Sequence, residues 1–285
     1  MPLPKYEALF LSSPASGEDG VKDQDRTAWD PQRLIACVCD GLTTTPYSTN
    51  AAEHLCLRLS EIMAGPQHSI LPAMHTVCGE LLEMRAQSIN KPLLFDDAVP
   101  PVLHEMLRDV AMRDRQISFQ STAALLRITE TPDSEHVARA FWCGDTGIFV
   151  FRHDGKLAWS NLELAADGKV EHCSITHSLP DCPDNATLLD LAIEQSESSA
   201  PIDEGASFLV ASDGFYSAFP NCYDMWAWLN THRGLLCCGG SVNEKNAAVR
   251  ALHQVLIDSS GDDDISFVFV SPIKPTIGGE LSDGR

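Results

Sequence analysis

The chain has 285 residues, 44% of them hydrophobic and 21% charged, enough to bury a substantial core in one large domain or two small ones. Forty Asp and Glu against twenty Lys and Arg give a formal charge of −20, which argues against nucleic acid or an anionic membrane as the main partner, because both reward dense positive charge. No run of 18 apolar residues is present, so no membrane-spanning helix is expected, and the opening MPLPKYEALF lacks the basic segment and long apolar core of a secretory signal.

A first strand is expected over about Tyr6–Ser12, then a polar loop SPASGEDGVKDQD, then a strand over about Leu34–Cys39. Asn50 followed by Glu53 has the spacing of a capping box, and Leu55, Leu59, Ile62 and Met63 continue it at helical intervals. A second helix is expected over Ile70–Ala86, and a shorter helical pattern covers Val102–Met112. The period then changes. ISFQSTAALLRITE, HVARAFWCGD, GIFVFRHDGKLAWSNLEL and ASFLVASDGF are rich in β-branched and aromatic residues, and His153-Asp154-Gly155 marks a hairpin. Helices over Cys222–Thr231 and Val242–Asp258 and a last strand over Ile265–Val270 complete the pattern. The reading is one α+β domain of layered antiparallel sheets over residues 1–272, with a loosely held Pro/Gly-rich tail, 273–285.

Ten cysteines are scattered, Cys37, Cys39, Cys56, Cys78 and Cys143 among them in apolar segments, as buried thiols would be. There is no CxxC pair, and His172, Cys173, His177 and Cys182 fit no standard zinc spacing. A reduced, cytoplasmic protein is expected.

Chemistry concentrates in the acidic residues. Asp25 in KDQDRTAW, Asp40 in CVCDG, Asp213 in LVASDGF and Asp263 in GDDDISFVFV each stand where an apolar strand meets a loop, and Asp145 sits in FWCGDTG. Singly, each has a plain explanation, since Asp-Gly is a common exit from a strand. Together they suggest convergence. Hard divalent cations take oxygen ligands, and four clustered carboxylates without a cation would repel one another.

The segments CVCDG, FQSTAALLRI, FWCGDTGIFVFRHDGKL, FLVASDGFYSAF and DDDISFVFV occur in the order and approximate spacing of the metal-dependent Ser/Thr protein phosphatases (PPM, or type 2C). The chain resembles that family over about residues 5–272, most closely its bacterial branch. The resemblance implies a layered β-sandwich of two antiparallel sheets flanked by helices, with two Mn²⁺ or Mg²⁺ ions at one end. Position by position, it makes Asp40 the bridging carboxylate and Gly41 the donor of a carbonyl ligand. Asp213 and Asp263 become ligands of one metal, and Asp25 the acid that holds metal-bound water. Asp145 is offered to a third, weaker metal, and Asp264 stands behind the ligands. The implied activity is hydrolysis of phosphoserine and phosphothreonine in a protein by a metal-activated water, with a cognate Ser/Thr kinase as a candidate partner.

Departures from the family pattern are equally specific. Leu42 stands where several members place a proton-donating His, Thr43-Thr44 replaces a glycine pair, and Gly20 replaces a phosphate-binding Arg, for which Lys22 is the substitute at hand. These prompt a second expectation: a catalytically weak domain that binds phosphoproteins or regulates. Residues 90–101 and 180–200 are the candidate variable elements for choice of target.

Overall fold

In GIFVF, SFLVA and ISFVFV apolar residues run almost without interruption, which a half-solvated sheet would not tolerate, so both faces of each must be covered. The computed structural model describes residues 6–13, 24–65, 70–92, 105–110, 117–130, 136–171, 177–181, 187–193, 205–237 and 264–273, and shows how. The strands are β1 (Tyr6–Ser13), β2 (Arg26–Asp30), β3 (Ile35–Gly41), β4 (Ser121–Glu130), β5 (His136–Cys143), β6 (Gly147–Phe151), β7 (Leu157–Ser160), β8 (Thr187–Ile193), β9 (Ser207–Ala211) and β10 (Ile265–Pro272). They form two five-stranded sheets, ordered β1-β10-β9-β6-β7 and β2-β3-β4-β5-β8. Every strand pairing is antiparallel.

Helices α1 (Ser48–Ala64) and α2 (Ile70–Gln87) cover the outer face of the β3 sheet, and α3 (Asp213–Ser217) and α4 (Cys222–Cys237) cover that of the β9 sheet. Side-chain alternation then sorts each strand into two cores. Along β3, Ile35, Cys37 and Cys39 face the helices, while Ala36 and Val38 face the opposite sheet. Along β6 and β10 the aromatic residues Phe149, Phe151, Phe267 and Phe269 point outward under α3 and α4, as do Leu209 and Ala211 of β9. The seam between the sheets is asymmetric. Ala36, Ala124, Ala138 and Ala140 line one side together with Val38, Leu126 and Ile128, and Ile148, Val150, Phe208, Val210, Val268 and Val270 fill the other. The alanines on one side leave room for the larger residues of the other. No helix among the described residues is long and apolar enough to cross a membrane.

Among the described residues the expected elements follow in order, including the hairpin, where Gly155 takes φ +84° and Arg152 N–H donates to the Lys156 carbonyl at 2.8 Å. Two local expectations need correction. Residues 26–30, read as lying between a loop and the next strand, form β2: RTAWD is half-buried and too polar to show a strand pattern, and its ladder to β3 holds it in the sheet. Asp30 then closes the turn by accepting from Gln32 N–H at 2.9 Å and Arg33 N–H at 3.1 Å.

Helix α1 starts at Ser48, so Asn50 lies inside it and no capping box forms. Its N-cap is Tyr47, at φ 61° with no side-chain cap. The Tyr47 hydroxyl donates to the Pro92 carbonyl, and its ring stacks on Phe119 at 4.7 Å. Tertiary contacts, not a local cap, set this start. Within residues 180–200, the candidate variable stretch, β8 pairs with β5. Helix α4 continues past Thr231 to Cys237, residues 105–110 are helical, and the expected helix 242–258 lies outside the described residues, as does the tail beyond Ile273.

Candidate metal centre

Strand β3 carries Asp40 and Gly41 to its end, opposite Thr122 and Ser121 of β4. The Ser121 hydroxyl donates to the Asp40 carbonyl at 2.7 Å, which fixes the backbone there. Gly41 is required by close approach: a Cβ would lie 2.9 Å from the Gln24 carbonyl oxygen and 2.9 Å from the Ser48 carbonyl carbon. Across the ladder, immediately before β2, Asp25 is 1% exposed.

The other sheet contributes from its facing end. Asp213 opens α3 just after β9, and its Oδ1 accepts from Gly214 N–H at 2.9 Å. Ser212 pins that end of β9 to β10: its N–H donates to the Ser266 carbonyl at 2.9 Å, and its Oγ accepts from Ser266 N–H at 3.0 Å. Asp145 lies in the turn that crosses from β5 to β6, after Gly144 at φ +90°. The Tyr216 hydroxyl of α3 donates to the Asp145 carbonyl at 3.1 Å, and Thr122 and Thr146 hydroxyls meet at 2.6 Å beside it.

The electrostatics show that these groups converge. Burial pushes the Asp40 carboxyl well above the ordinary carboxylate range, and the charges of Asp25 and Asp213, a hydrogen bond with Asp25 and the charge of Asp145 push it further. Burial, followed by the charge of Asp213, raises Asp145 to about 7. Asp145 Oδ1 is buried without a hydrogen-bond partner. Such a group is costly unless something binds it. The donors are all oxygen, their mutual repulsion would be relieved by positive charge, and one buried oxygen is orphaned. The residues fit a hard divalent cation.

The structure therefore brings Asp25, Asp40, Asp145 and Asp213 together, with Gly41 beside Asp40. Asp264 also belongs to the region: its Oδ2 accepts from Gln24 N–H at 2.7 Å in a buried bond, tying the start of β10 to the start of β2. Asp263, Lys22 and Gly20 lie outside the described residues. Leu42 follows Gly41 with its N–H on the Gln120 carbonyl at 3.2 Å, and Thr43 donates from Oγ1 to Gln24 Oε1 at 2.8 Å. The supporting hydroxyls of Ser121, Thr122, Thr146, Ser212 and Tyr216 have no counterpart in the sequence reading. Thr146, Ser212 and Tyr216 lie within a few residues of Asp145 or Asp213, whereas Ser121 and Thr122 reach Asp40 only because β4 pairs with β3.

The sequence matches the pattern of the family described as protein phosphatase 2C over residues 16–254. No curated protein matches it. Among solved structures, the Ser/Thr phosphatase Stp1 from Staphylococcus aureus superposes with TM-score 0.56 at 13% identity, over 96% of this chain and 98% of that one. The PPM Ser-Thr phosphatase MsPP from Mycobacterium smegmatis, in complex with cacodylate, gives 0.53 at 17% identity, over 93% and 97%. PppA, described as a regulatory component of the T6SS in Pseudomonas aeruginosa, gives 0.51 at 18% identity, over 95% and 99%. Identities this low speak to the shared fold.

Proposed function

We propose, because this chain belongs to the protein phosphatase 2C family and gathers buried carboxylates at one end of its sandwich, that it hydrolyses phosphoserine and phosphothreonine in proteins with Mn²⁺ or Mg²⁺ bound there. The observation that carries this reading is the convergence of Asp25, Asp40, Asp145 and Asp213, drawn from both sheets. A scaffold has no use for four mutually repelling carboxyls. Two divalent ions at such a centre supply an activated water and neutralise charge on the phosphoryl group.

The chain's own residues have distinct tasks in this reading. Asp40 and the Gly41 carbonyl beside it would hold the ions from one sheet. Asp213, from the other sheet, would be a ligand together with Asp263, Asp25 would hold metal-bound water, and Asp145 would serve a third, weaker ion. Asp264 acts through Gln24, whose backbone N–H it receives, and so positions the segment that carries Asp25. Lys22 is the candidate for holding substrate phosphate. Leu42 has no proton to give, so the departing serine or threonine oxygen would take its proton from water or from another residue. The described cysteines Cys37, Cys39, Cys56, Cys78, Cys143 and Cys222 take part in no disulfide, which suits a cytoplasmic phosphoprotein substrate and a kinase partner in the same compartment.

Leu42 also favours a second reading, a weakly catalytic domain that binds phosphoproteins. Release of phosphate from a phosphothreonine peptide, measured with and without Mn²⁺, separates the two. Mn²⁺-dependent release that is abolished by Asp40→Asn and by Asp213→Asn supports the enzyme. Mn²⁺ binding without turnover across a broad phosphopeptide panel supports the binding domain. A chain that binds no Mn²⁺ would overturn the site itself.

A further inference from the structure

We propose that Cys37, Cys39 and Cys56 form a second metal site, built of sulfur and suited to a thiophilic monovalent cation, with Cu(I) as its probe. Because β3 alternates, Cys37 and Cys39 point to the same side, toward α1, and their sulfurs lie 3.8 Å apart. Helix α1 lays Cys56 over them, and all three sulfurs fall within 4.8 Å of one another. A single buried cysteine is an ordinary small apolar residue. Three that converge on one point from a strand and a helix are a ligand set.

The dimensions fit. With the Cys37–Cys39 edge at 3.8 Å and the other two at most 4.8 Å, the point equidistant from the three sulfurs lies at most about 2.6 Å from each, against a metal–thiolate bond of about 2.3 Å. Side-chain adjustment of a few tenths of an ångström closes that difference. The number of donors selects the ion. Among the described residues no fourth Cys, His, Asp or Glu joins the three. Ser60 is close by, but its hydroxyl donates to the Cys56 carbonyl at 2.7 Å, and a neutral alcohol is a poor ligand for a soft ion. Structural zinc takes four ligands, whereas soft thiolates in a dry pocket suit Cu(I).

The surroundings are dry. Ala52, Leu55 and Leu59 belong to the same buried cluster, Cys37 and Cys39 are fully buried, and Cys56 is 4% exposed, so an ion would arrive past Cys56. Arg26, across the ladder from Cys39 and near enough for its charge to act on Cys56, offsets negative charge brought in by thiolates. Each thiol that coordinates releases its proton. The site is chemically orthogonal to the carboxylate centre, because hard ions prefer oxygen and Cu(I) prefers sulfur.

The full-length chain, reduced and kept under inert gas, is titrated with Cu(I) against a colorimetric Cu(I) chelator, and the copper complex is then examined by X-ray absorption. One tightly bound equivalent is expected, with three sulfur neighbours at about 2.2–2.3 Å. Cys37→Ser and Cys56→Ser should each weaken binding by at least about a hundredfold, while Cys222→Ser, at the start of α4 on the far side of the sandwich, leaves it unchanged. Circular dichroism and the thermal midpoint establish that each variant is folded, and the sulfur count of the unaltered protein is independent of any variant. Two-sulfur or mixed oxygen coordination, undiminished affinity in folded Cys56→Ser, or an equally tight four-coordinate zinc complex would overturn the assignment.

Discussion

Replacing Asp145 by Asn tests the electrostatic heart of the carboxylate cluster. In the metal-free protein the Asp145 carboxyl, 4% exposed, is raised from an ordinary 3.8 to about 7 by burial and by Asp213. At about 1.4 kcal/mol per pH unit, ionising it in place costs the fold about 4 kcal/mol above pH 7. Direction follows from proton counting. Between about pH 4 and pH 7 the folded chain keeps this proton and the unfolded chain does not, so stability falls as pH rises through that window and levels above it.

Asparagine carries no such proton. The unfolding free energy of Asp145→Asn minus that of the wild type should therefore grow by about 3 kcal/mol between pH 5 and pH 8. Urea denaturation in EDTA at the two pH values measures this, and taking the difference cancels any fixed effect of how the amide packs. Saturating Mn²⁺ should stabilise the wild type more at pH 8 than at pH 5, because the ion takes the place of protons on the cluster. A difference that stays constant between the two pH values would refute the reasoning, since Asp145 would then not be held in its protonated form by the fold.

Two further outcomes are expected. Gly41→Ala places a methyl 2.9 Å from two backbone atoms that cannot rotate away, so it should cost about 1–3 kcal/mol in urea denaturation and weaken Mn²⁺ binding; an unchanged midpoint would show that the backbone yields. Leu42→His should restore a proton donor and speed hydrolysis of a phosphothreonine peptide by about tenfold or more, with little effect on an aryl phosphate whose phenolate leaves unaided. Equal effects on both substrates would mean that protonation of the leaving group does not limit this chain.

Much of the architecture is legible in the sequence, because β6, β9 and β10 are apolar on both faces and announce a sandwich. The acidic positions are legible for a related reason: Asp40, Asp145 and Asp213 interrupt apolar runs abruptly. What stays hidden depends on partners distant in the chain. RTAWD becomes β2 only because β3 is there to pair with it. Tyr47 starts α1 through Pro92 and Phe119, which no local motif encodes. The bond from Gln24 N–H to Asp264 spans almost the whole chain, and so could not be read from either neighbourhood. The three sulfurs likewise meet only once α1 lies across β3. Asp25 illustrates the boundary, since its carboxylate is visible in KDQDRTAW but the strand it precedes and its burial are not.

The asymmetric seam between the sheets has a mechanical meaning. Asp25 and Asp40 ride on one sheet, Asp213 on the other, and Asp145 on the turn that joins them. Cations held among these groups would act as rivets across the sandwich, and the alanines of the seam help to set the gap the rivets must span. A bulkier residue at Ala140, opposite Leu126 rather than any of the acidic residues, would wedge the plates apart, and loosened grip on the ions would register it before the fold gave way. The alanines are thus spacers for the centre.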